Sequence, residues 1–151
     1  MLFRLCPAAW AGAAALFVLI TVGLTRSPEV DSELRMQLSL IRFPYYYVLE
    51  FGLLGTALVA GFFARKHGEL GSIRSWLGLG LVALALAGAI ADYFLVYRPL
   101  EKMMTDRTLD GAFRSLHEAS KNGNSTIVVV VVIAALVINW PSRAHRRTKI
   151  V

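Results

Sequence analysis

Apolar residues in this chain gather into four long blocks with almost no polar interruption. The blocks cover about residues 7–24, 43–63, 76–97 and 125–140. The first carries no charge, the second holds Glu50 as its single charge, and the third holds Asp92. The fourth centres on an apolar run from Ile127 to Ile138 with five consecutive valines. About 20 mostly apolar residues in helix cross a hydrocarbon layer of about 30 Å. The pattern therefore predicts four transmembrane helices. The fourth block is short, so its helix should begin earlier, among Asn122, Asn124 and Ser125. Valine and isoleucine are poor helix formers in water, but a single crossing of lipid must satisfy its own backbone hydrogen bonds and is helical regardless.

The expected fold is thus all-α, an integral membrane four-helix bundle in one domain of residues 1–151, with a partly helical third loop. Loops are expected over 25–42, 64–75 and 98–124, followed by a basic tail over 141–151. Arg4 before an apolar run resembles a signal peptide, but no small-x-small cleavage pattern follows, so the first block reads as a retained helix. Small residues mark two faces as helix contacts: Gly52, Thr56 and Ala60, and Gly78, Leu81, Ala85, Gly88 and Asp92. Such faces serve either the bundle or a homo-oligomer.

Composition agrees with lipid. Of 151 residues, 56% are hydrophobic and 17% charged, where soluble domains carry about 25% charged. This excludes a disordered chain, and the lone Cys6 excludes a disulfide scaffold. The net charge of +6 invites a nucleic-acid reading, but the basic tail lies directly after an apolar block. There it reads as a topology signal attracted to anionic lipid headgroups, without nucleic-acid binding. Lysines and arginines divide equally between the two sides, and those closest to block ends favour both termini in the cytoplasm, with a bacterial inner membrane as the expected bilayer.

Candidate chemistry is sparse. Glu50 and Asp92 each sit about 10 Å inside a block end, and topology parity places them in the same leaflet. Intramembrane acids face the bundle interior and find partners. A helix over the end of the third loop would put Phe113, His117, Ser120 and Asn124 on one face, continuing through Val128, Val131 and Ala135. Glu50, Asp92, His117, Ser120 and Asn124 are therefore expected to line a polar vestibule, with tyrosines around it at interface depth. Arg114 and Lys121 are the expected charge partners, closing a structural clasp. No catalytic residue, metal site or cofactor is assigned. His67, His117 and His145 all lie outside the centres of the apolar blocks, which disfavours a buried haem.

Two stretches carry a family likeness: Leu38-x-x-x-Arg42-Phe43-Pro44-Tyr45-Tyr46 at the second block, and Phe113-Arg114-x-Leu116-His117-x-x-Ser120-x-x-x-Asn124 before the fourth. With four spans and a long polar third loop, the chain resembles the transmembrane-protein-205-like family of unknown function. The resemblance implies the four-span fold and a polar segment at His117, Ser120 and Asn124, and it carries no agreed activity. A proline expected late in the first helix is absent, Pro28 lying beyond it. The leading expectation is a non-enzymatic scaffold or accessory protein with a polar vestibule. The alternatives are a small ion- or proton-coupled transport module using the two acids and, more weakly, a membrane enzyme acting on a lipid or quinone headgroup through His117.

Overall fold

The structure is a computed structural model and describes residues 1–66, 72–108 and 111–140, with Lys66 and Ser72 described in backbone only. The basic tail over 141–151, His67 and His145 lie outside the described residues. Among the described residues all regular structure is helical: α1 (Leu2–Arg26), α2 (Ser32–Lys66), α3 (Ser72–Asp92), a π-helical turn (Tyr93–Tyr97), α4 (Arg98–Thr105) and α5 (Gly111–Asn139). From α3 to α4 the chain is continuously helical over Ile73–Thr105, so four helices are long and apolar enough to cross a membrane.

The helices run well past the apolar blocks. The expected loop over 25–42 is mostly helix, because Asp31 accepts the backbone N–H of Leu34 at 2.8 Å and starts α2 at Ser32. The third loop over 98–124, expected to be partly helical, is mostly helix: α4 at its start, and at its end the first half of α5, where a helix was expected. Hydropathy marks where a helix meets hydrocarbon, whereas capping and propensity decide where it ends. At 35 residues, α2 is about 52 Å long and exceeds the roughly 30 Å hydrocarbon core.

Four antiparallel neighbours close a ring in chain order. Arg42, about three turns into α2, donates to Thr21 near the end of α1 at 3.4 Å. Tyr47 early in α2 reaches Asp92 at the end of α3. Arg74 early in α3 donates to the Trp140 carbonyl just beyond α5 at 3.1 Å, and Asn139 of α5 donates to the Arg4 carbonyl of α1 at 3.3 Å. The ring therefore has one end where α1 begins and another where α2 begins.

Buried positions recur at spacings of three, four or seven. They are Phe3, Cys6, Trp10 and Ala14 on α1; Tyr47, Glu50, Leu54 and Ala57 on α2; Ser75, Val82, Ala85, Ala89 and Asp92 on α3; and Ser120, Ile127, Val131, Ala134 and Ile138 on α5. A mean period of 3.5 is the seam of left-handed helix packing. On α2 the expected contact stripe is corrected: Gly52 and Thr56 are exposed, and the inward seam is one position over. The outer faces present Leu16, Leu19, Val59, Leu84, Val129 and Leu136, the surface expected against lipid tails.

Near the α1 start, Gly61 and Gly78 let helices meet. A Cβ on Gly78 would lie 2.5 Å from Ile138 Cγ1, and one on Gly61 2.6 Å from the Phe3 ring. At the other end α4 stops in a Schellman turn. Thr108 N–H donates to the Met103 carbonyl and Arg107 N–H to the Met104 carbonyl, with Arg107 at φ 57°. An ion pair from Arg107 to Glu33 at 2.8 Å ties this corner to the start of α2.

Candidate functional site

Polar side chains converge where early α2, the end of α3 and the middle of α5 meet. The Asp92 carboxyl, 6% exposed, accepts from the Tyr47 hydroxyl at 2.5 Å and from Asn124 Nδ2 at 3.1 Å, both at Oδ2. Asn124 Nδ2 also lies 3.0 Å from the Ser120 carbonyl and 3.3 Å from its hydroxyl. One acid thus joins three helices. Gly123 permits the approach, since a Cβ there would stand 3.2 Å from Asp92 Oδ1.

Glu50 lies one helical turn deeper than Tyr47 on the same seam, with no exposed surface. It follows Tyr47, the donor to Asp92, by three residues on α2. On the α2 seam it stands between Tyr47 and Leu54, both members of a buried cluster with Trp10, Ala14, Ala85, Ala89 and Ile127 that also takes in Tyr46 and Tyr97. Neither Glu50 oxygen has a hydrogen-bond partner. Asn124 Oδ1 is also buried and unpartnered. Apart from Arg35 Nε, these three acceptors are the unpartnered buried side-chain polar atoms among the described residues.

The structure brings Glu50, Asp92, Ser120 and Asn124 to this centre and leaves His117 out. The inward stripe of α5 runs through Leu116, Ser120, Asn124 and Ile127, so His117 falls one position outside it. His117 is exposed, its ring parallel to that of Phe113 with centroids 6.1 Å apart. The expected basic clasp is also corrected. Lys121 pairs with Glu118 at 2.8 Å, one turn back on its own exposed face, and Arg114 is exposed. Among the described residues no ion pair joins Glu50 or Asp92 to a basic side chain. The clasp on Asp92 is made by neutral donors.

Tyr47 was expected only among the tyrosines Tyr45–Tyr47, Tyr93 and Tyr97 around the vestibule, not as a hydrogen-bond partner of Asp92. Its signal was its spacing, three residues before Glu50 and so on the same helical face. The turn Tyr93–Tyr97 was also missed. It adds one residue to the seam, so Asp92 and Tyr97 both point inward five residues apart, where an unbroken helix would turn one of them away. Tyr97 then donates to Glu101 at 3.3 Å, capping the centre on the side where α3 ends.

Chemically the centre is rich in acceptors and poor in donors. No group of three or more His, Cys, Asp or Glu side chains converges among the described residues. No protein-family model, curated protein or solved structure matches the chain.

Proposed function

We propose that this chain is a small non-enzymatic multi-pass membrane protein whose buried polar centre reversibly binds a proton or small cation, reached from the membrane face where α2 begins. The observation that carries the reading is Glu50: fully buried, ionisable, and without a partner at either oxygen. An unpaired acid inside a membrane bundle costs several kcal/mol if ionised and marks ion and proton pathways. A purely structural acid would be expected to keep its donors, as Asp92 does. The exposed His117 gives no support to headgroup chemistry at this centre.

The test is ion flux in proteoliposomes carrying the wild type or the Glu50→Gln/Asp92→Asn double variant. Wild-type flux above that of protein-free vesicles, lost in the double variant, is the expected result. Wild-type flux equal to the blank, or undiminished flux in the variant, contradicts the reading.

A second reading, a membrane scaffold, is favoured by Asp92 itself, whose bonds to Tyr47 and Asn124 lock α2, α3 and α5 together. We further propose that both termini are cytoplasmic, on the strength of the basic residues near the block ends, in a bilayer such as a bacterial inner membrane. The outward Gly52 and Thr56 support homo-oligomerisation through α2. The likeness to the transmembrane-protein-205-like family fits this placement and adds no activity.

A further inference from the structure

We infer that the centre between Glu50 and Asn124 is a site for a monovalent alkali cation, with sodium the ion to test. The inference rests on the ion-binding reading above and narrows it from any small ionic ligand to a metal ion held by oxygen.

Glu50 offers two acceptor oxygens and Asn124 one, all buried and all without a donor. The Asp92 carboxyl adds a second buried acid, bonded both to Asn124 and to Tyr47, which lies one turn from Glu50 on the same seam. The Asn124 amide is held with its N–H groups on Asp92 and Ser120, which leaves its oxygen as the free end. The orphans are therefore all of one kind, and an occupant must supply several positive contacts at once. A single proton on Glu50 turns one oxygen into a donor and satisfies at most one further acceptor. A hard cation takes several oxygen ligands simultaneously, from carboxylates and amide carbonyls alike. Two acids with no basic partner leave a formal charge that a monovalent ion reduces without reversing. A divalent ion would need its remaining ligands from a centre otherwise lined by apolar side chains.

The other groups facing this centre compete little. Tyr46 and Tyr47 come from α2, and Tyr93 and Tyr97 from the turn after α3. The cluster packed at this end takes Trp10 and Ala14 from α1 and Ile127 from α5, and α5 adds Ser120 and Asn124, none of which titrates in the ordinary range. A proton at Glu50 is the natural competitor of the cation, so apparent affinity for sodium should weaken as pH falls.

The experiment labels the reconstituted full-length protein with a lipophilic carbodiimide, which reacts with protonated carboxyls in an apolar setting, and reads the modified residue by mass spectrometry. The expected result is modification at Glu50 in choline chloride. Sodium at equal ionic strength should slow it about tenfold when present at ten times its half-protecting concentration, by simple mass action. Asp92→Asn and Asn124→Ala should each raise the half-protecting concentration of sodium while leaving Glu50 reactive. Modification that proceeds equally in sodium, potassium and choline overturns the cation site and leaves a proton-only centre. Absence of modification at Glu50 under every condition overturns both the cation site and the ion-binding reading beneath it.

Discussion

Tyr47 and Glu50 share one seam of α2, yet one is bonded and the other is not. That difference separates structure from function and can be measured. Removing the Tyr47 hydroxyl strips a donor from a buried carboxyl. Tyr47→Phe should therefore destabilise the detergent-solubilised protein by about 1–3 kcal/mol, read as a lower thermal midpoint. An unchanged midpoint would contradict the bond to Asp92. Glu50 has no contact of that kind to lose. Replacing a buried charged group with an apolar side chain of similar volume is often neutral or stabilising, so Glu50→Met should melt at or above the wild type. A fall comparable to that of Tyr47→Phe would show that Glu50 is held after all. The two acids were legible in the sequence because they are the only charges within the apolar blocks. Tyr47 was not, because tyrosines near a block end read first as interface anchors.

Between residue and bundle, the governing feature is the three-four seam. It explains why Ser120 and Asn124 turn inward while His117 does not, and why Gly78, not Gly80, is a contact position. Gly78→Ala would drive a Cβ against Ile138, and overpacking of this kind costs about 1–3 kcal/mol. Gly80→Ala meets nothing within 4 Å and should be neutral or slightly stabilising through helix propensity. Thermal unfolding of the pair checks the register, and equal effects would contradict it. Helix existence was readable from hydropathy. The seam was legible only in part: small residues marked Gly78, Ala85 and Asp92 on α3 but misplaced the stripe on α2, since helices that are apolar on every face give no amphipathic signal to separate lipid-facing from bundle-facing positions. Helix ends were equally hidden, being set by Asp31 and by the Schellman turn at Arg107. The π-helical turn leaves no mark in hydropathy at all.

At the scale of the molecule, the ring of four helices has two unlike ends. One closes on Phe3, Gly61, Gly78 and Ile138, with Cys6 buried beside them. Cys6 is 5% exposed, so a maleimide should label it only as the bundle unfolds. Rapid labelling of the folded protein would contradict the packing of α1. The other end holds the polar centre, and the four-span architecture and shared leaflet of the two acids were expected from topology alone. What topology could not supply was the mismatch of donors and acceptors, which depends on which side chains point inward. The most direct test of the ion-binding centre is infrared difference spectroscopy of the reconstituted protein, with Glu50→Gln as the reference. A carboxyl C=O band that is absent in Glu50→Gln, and that shrinks in the wild type when sodium replaces choline at fixed pH, is the predicted result. A wild-type spectrum that matches Glu50→Gln and responds to neither pH nor sodium would contradict it.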